Sequence, residues 1–76
     1  MVFEKVCKIL ADQFGVAENS LNMDTAFIED LGADSLDLVE LMMSIEEEFD
    51  LGQIDEAEAA SMKTIGDLVR RIGEDD

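Results

Sequence analysis

Between Ser35 and Phe49 the apolar residues recur at three- and four-residue spacings, and no other stretch constrains the fold as strongly. A rotation of about 100° per residue puts Leu38, Leu41, Met42, Ile45 and Phe49 in one arc, the expected core face. Asp37, Glu40, Ser44, Glu47 and Glu48 fall opposite. Leu36, Val39 and Met43 belong to neither side and form an apolar strip edged by Glu40 and Glu47. Two readings of the strip stay open: packing beneath a neighbouring loop, or docking onto another protein. The carboxylates beside Leu36 and Met43 favour docking for those two.

The neighbours of this helix follow from the same spacing. Phe3, Val6, Cys7, Leu10 and Phe14 give a helix over residues 2–14, stopped by Gly15. Residues 16–34 lack a steady period, and Val16, Leu21, Phe27, Ile28 and Leu31 are expected to pin them as a packed loop. Asp50-Leu51-Gly52 ends the long helix. Asp55 as N-cap with Glu58 at N3 opens a short third helix to about Ser61, with Ile54, Ala59 and Met62 facing inward. Thr64 and Asp67 repeat the capping pattern for a last helix through Ile72, whose buried stripe is Ile65, Leu68, Val69 and Ile72. Arg70 and Arg71 suit its C-terminal dipole, and Gly73 stops it before an acidic tail. The expected fold is all-α: a small four-helix bundle with three longer helices, a short third one and a long packed loop between the first two, forming one domain over residues 1–76.

Charge narrows the partners. The net charge is −15, and fifteen acidic residues run from Asp12 to Glu58 with no basic residue between Lys8 and Lys63. Such a surface repels nucleic-acid backbones and anionic membranes and steers basic proteins toward it. Glu46, Glu47 and Glu48 sit at the end of a helix, where carboxylates oppose the dipole by about 0.3–1 kcal/mol each when exposed. The cluster reads as kept for recognition, with a merely solubilising face as the alternative. A lone Cys7 with no second thiol, no basic and apolar leader and no long apolar run point to a reduced, cytoplasmic protein without membrane insertion.

The chemistry-bearing stretch is Asp30-Leu31-Gly32-Ala33-Asp34-Ser35-Leu36-Asp37. Asp34 can cap the long helix and Asp37 at N3 can complete the box, which puts Ser35 at N1 with its hydroxyl outward. A phosphate ester there meets free N–H groups and the positive end of the dipole. The chain has no histidine, tyrosine or tryptophan and one cysteine, so no Ser-His or Cys-His nucleophile pair can assemble. Ser35 therefore reads as the substrate of another protein. No calcium-loop pattern is present, and transition-metal ligands are lacking, so no metal is expected. The small bundle offers little cleft for carboxylate catalysis, and no enzymatic activity is expected.

That run, followed by Val39-Glu40-Leu41, Glu46-Glu47-Glu48-Phe49-Asp50 and Thr64-Ile65-Gly66-Asp67-Leu68, closely resembles the acyl carrier proteins of bacterial fatty-acid synthesis over nearly the whole chain. The resemblance implies that a separate transferase joins 4′-phosphopantetheine from coenzyme A to Ser35, and that the thiol of this arm holds growing acyl chains as thioesters. Asp34, Leu36, Asp37, Val39, Glu40, Met43 and Glu47 match positions that meet basic, partly apolar patches on the transferase and synthase enzymes. Phe27, Ile28, Leu31, Ile45, Ile54, Ala59 and Met62 match the lining of a pocket in which the family shelters its acyl chain among the helices, and a core that opens between the second and third helices is expected here. The resemblance also implies a monomer. One departure stands out: Ile54 meets Asp55 directly, and the loop Leu51-Gly52-Gln53 looks one residue longer than the family pattern. Carriers of dedicated polyketide, lipid or aminoacyl pathways share these features. A non-covalent acidic adaptor is the alternative from another class.

Overall fold

Capping chemistry and apolar spacing divide the chain at the expected places. The computed structural model describes residues 2–73, and the acidic tail after Gly73 lies outside them. Among the described residues the fold is all-α: α1 Val2–Phe14, α2 Ser35–Phe49, α3 Glu56–Ser61 and α4 Ile65–Ile72, with a 3₁₀ turn at Glu18–Ser20. Gly15 takes φ +68° and donates its N–H to the Ala11 carbonyl at 2.9 Å, closing α1. The left-handed residue ending α2 is Asp50, at φ 53°. Aspartate tolerates that region better than most side chains, so the reversal does not need to wait for Gly52. Thr64 and Asp67 form the expected box at the start of α4, each side chain accepting from the other's backbone N–H at 3.2 Å.

The core is built from α1, α2, α4 and the long loop. Val6, Leu10, Phe27, Leu41, Ile45, Ile65, Leu68 and Val69 are fully buried. Val2 and Cys7 join them from α1, while Phe3 and Phe14 pack against the core from its edge. Leu38, Phe49 and Ile72 are likewise only half-buried. Cys7 is buried, which together with Glu18 and Glu4 pushes its thiol above the usual range. It is a packing residue, not a reactive thiol.

The loop over residues 16–34 is packed, as its apolar residues require. Leu21 and Phe27 are buried, and Val16 and Leu31 half-buried. Ile28 departs from expectation: it is 61% exposed and pins nothing. The loop is held instead by backbone bonds to the start of α4. The Phe27 N–H donates to the Lys63 carbonyl at 3.0 Å, Ile65 to Thr25 at 3.0 Å, and Gly66 to Met23 at 2.8 Å. An isolated antiparallel bridge pairs Ala26 with Thr64. A Cβ on Gly66 would stand 2.9 Å from the Met23 carbonyl oxygen, so this crossing needs glycine.

α3 is held differently. It contributes no buried residue of its own. Ile54 and Met62, just beyond its two ends, are buried and anchor it. Asp55 caps it by accepting from the Glu58 N–H at 2.7 Å, and Glu58 pairs with Arg71 of α4. No helix among the described residues is long and apolar enough to cross a membrane.

Candidate functional site

The loop delivers its last residues to the start of α2 through a tight turn. Asp30 accepts the Ala26 N–H at 2.8 Å, Gly32 at φ +70° donates to Ile28, and the Ala33 N–H reaches the Phe27 carbonyl at 3.0 Å. Asp34 is extended and accepts from the Asp37 N–H at 3.0 Å, while the Asp37 carboxylate accepts the Asp34 N–H at 3.2 Å. Both halves of the capping box are thus present. Gln13 of α1 donates to the Asp37 carbonyl at 2.8 Å, tying the first turn of α2 to its neighbour. Ser35 is exposed at N1 of this braced turn. The N–H groups of a helix's first turn lack carbonyl partners within the helix, so the position is suited to a phosphate ester.

Beside Ser35 the apolar strip is left open. Leu36 is 73% exposed, Val39 47% and Met43 59%. Asp34, Glu40, Glu47 and Glu48 are exposed around them, and Asp37 is half-buried in its box. The packing alternative for the strip therefore does not describe this structure. Met43 borders two grooves. One, of ≈780 Å³, runs between α1 and α2 and is lined by Ile9, Asp12, Gln13, Glu40, Ser44, Glu47 and Glu48 as well as Met43.

The other groove, of ≈570 Å³, lies between α2 and α3 and includes Ser35 in its lining. Leu38, Val39, Met42, Met43, Ile54, Ala59 and Ala60 give it an apolar character, with Glu46, Gln53 and Glu56 as its polar members. Of the pocket residues expected from the sequence, Ile54 and Ala59 line this groove. Phe27, Ile45 and Met62 lie in the buried core. Leu31 lines a separate depression with Val16 and Leu21. Ile28 is exposed and lines none of these hollows, so its inward assignment is corrected: the loop's backbone bonds turn it to the surface. Sequence reasoning missed the α2 wall because it split that wall between two faces. The spacing puts Leu38 and Met42 on the core face and Val39 and Met43 on the strip, yet two i, i+4 pairs one residue apart enclose a single surface.

Glu46 also departs from expectation. Its carboxylate is half-buried and accepts the Ile54 N–H at 2.7 Å, so it is a structural partner of the loop before α3 and not a spare recognition charge. Among the described residues no group of three or more His, Cys, Asp and Glu is placed to hold a metal ion.

The chemistry available here is limited and specific. An exposed hydroxyl sits at a helix N-terminus with no histidine in the chain to activate it and with the nearby Asp34 and Asp37 carboxylates engaged in capping, and an apolar groove includes the same residue. The site fits a pantetheine arm joined by a phosphodiester, with a hydroxyl to bear it and apolar surface to receive what it carries.

The comparisons agree. A family model described as a phosphopantetheine attachment site matches residues 4–72. The acyl carrier protein of Clostridium acetobutylicum is 54% identical over 72 residues, covering 95% of this chain and 92% of that one. The acyl carrier protein of Clostridium perfringens is 47% identical over 73 residues, covering 96% and 95%. Among solved structures, the thermally stable acyl carrier protein of Enterococcus faecalis superposes with a TM-score of 0.81 at 28% identity, covering 99% of this chain and 94% of that one. Fold and site together define a small helical domain for phosphopantetheine attachment. Within that class, the chain belongs to the acyl carrier protein family. It is a carrier, not an enzyme, and its prosthetic group is 4′-phosphopantetheine, whose terminal thiol, when present, holds acyl groups as thioesters.

Proposed function

We propose that Ser35 is the attachment residue and that this single domain, over residues 1–76, serves fatty-acid synthesis as a cytoplasmic monomer. The observation that carries the reading is the exposed Ser35 hydroxyl at the braced start of α2, on the lining of the α2–α3 groove. The capping box fixes the backbone turn that carries Ser35. A phosphopantetheinyl transferase is to supply the base that takes the hydroxyl proton, because this chain has no histidine and the neighbouring Asp34 and Asp37 carboxylates are engaged in the capping box. The phosphodiester forms at Ser35 Oγ as the phosphoanhydride of coenzyme A breaks, and adenosine 3′,5′-bisphosphate leaves.

Asp34, Leu36, Asp37, Val39, Glu40, Met43 and Glu47 make the docking face. Its exposed apolar strip supplies contact area and its carboxylates supply steering toward basic patches on the transferase and the synthase enzymes. The groove, through Ile54, Ala59, Leu38 and Met42, receives the acyl chain. The test is elongation by a reconstituted set of fatty-acid synthesis enzymes fed with the loaded protein. Ser35→Ala is expected to abolish product. The double reversal Glu40→Lys with Glu47→Lys is expected to raise the carrier concentration needed for half-maximal rate, by a factor that shrinks as salt is added. Product from Ser35→Ala would refute the assignment.

A further inference from the structure

We propose that Glu46 is the latch of the α2–α3 groove and sets how readily, and how long, an acyl chain is admitted. The inference rests on the reading that this groove receives the carried chain. The Ile54 N–H donates to Glu46 Oε2 at 2.7 Å across eight residues, joining the body of α2 to the segment that leads into α3. Both residues line the groove, so this bond ties its two walls together. The other holds on α3 lie elsewhere: Met62 is in the core, and Glu58 pairs with Arg71 of α4, with none of the three in the groove lining.

α3 itself buries no residue, so little apolar packing resists its movement. Releasing the Glu46 bond leaves the leading end of α3 held by the Ile54 side chain alone, while the Glu58–Arg71 pair and Met62 retain the rest of the helix, a geometry that lets the groove widen without unfolding the helix. Glu46 is half-buried and lines the open groove, so water entering from the groove can replace the lost bond and the opening is reversible. A chain that occupies the widened groove better than the latched one shifts the population toward release. Glu46 is thereby a specificity-determining residue: the strength of its bond to Ile54 biases the groove against long chains.

Two variants separate the acceptor oxygen from the charge. Glu46→Ala removes both, whereas Glu46→Gln keeps an oxygen able to accept from Ile54. In unmodified protein, amide hydrogen exchange at Ile54 is expected to rise about tenfold in Glu46→Ala and to stay near wild type in Glu46→Gln. In the acylated wild type, lengthening the chain should raise Ile54 exchange and shift the methyl resonances of Met42 and Ala59. Cleavage of long-chain thioesters by hydroxylamine should be slower in Glu46→Ala than in wild type, since the chain is held more readily. If the methyl resonances shift on acylation while Ile54 exchange is the same with and without the chain, the latch is overturned and the groove reading stands. If acylation moves neither Met42 nor Ala59, the groove reading fails and the latch falls with it.

Discussion

Replacing Gly66 by alanine tests whether the long loop is held to α4 as tightly as its geometry states. The added Cβ would lie 2.9 Å from the Met23 carbonyl oxygen, a backbone atom with no flexible end to yield. Relief requires the loop to move, which breaks or stretches the 2.8 Å bond from the Gly66 N–H to that same oxygen. Overpacking of this kind costs about 1–3 kcal/mol, and a weakened hydrogen bond adds about 1 kcal/mol. Against this, alanine in a helix gains at most about 1 kcal/mol over glycine, less near the first turn. The clash wins, with a net loss of about 1–3 kcal/mol. For a domain of this size each kcal/mol moves the melting midpoint by about 4–8 °C, so Gly66→Ala should melt about 4–24 °C below wild type by circular dichroism. Because Ser35 lies at the far end of the loop, well-folded variant at low temperature should still be loaded. A midpoint equal to or above that of wild type would show that the loop gives way freely and that the Met23–Gly66 contact does not organise it.

Two further outcomes follow from the capping and the charges. Asp34→Ala removes half of the α2 capping box and should lower stability by about 1 kcal/mol, read as a lower urea midpoint with unchanged slope. Asp67 accepts the Lys63 N–H, the largest influence on its carboxyl; burial opposes it, Arg70 and Thr64 add to it, and the carboxyl is held below the usual range. A depressed folded pKa favours the charged folded state, so this stabilisation is present above the ordinary aspartate value and is lost as pH falls through the folded one. The stability gap between wild type and Asp67→Asn should therefore be largest near neutrality and close at strongly acid pH. A gap independent of pH would contradict the assignment.

Much of this was legible because local chemistry decides it. The apolar stripe of α2, the Asp34–Asp37 and Thr64–Asp67 boxes and the glycine after α1 each depend on residues a few positions apart, and each stands where the spacing puts it. The exposure of Leu36 and Met43 was legible for the same reason, whereas the spacing left Val39 open between packing and exposure. What escaped depends on partners distant in sequence. Nothing local marks Ile28 as exposed, because backbone bonds from Thr25 and Phe27 to α4 and the turn around Gly32 orient it. Glu46 reads as one of three like charges until Ile54, eight residues away, is placed against it. Arg71 reads as a dipole partner until α3 brings Glu58 to it. The groove lining escaped because its α2 wall takes residues from both the core face and the exposed strip.

The account depends most on Ser35 being the residue that bears the arm. The direct measurement is an intact mass of wild type and Ser35→Ala, each shown to be folded and to start unmodified, after incubation with coenzyme A, magnesium and a broad-range phosphopantetheinyl transferase. Wild type should gain the mass of one phosphopantetheine and Ser35→Ala none. A gain on Ser35→Ala, or no gain on wild type, would contradict the claim that this hydroxyl is the attachment point.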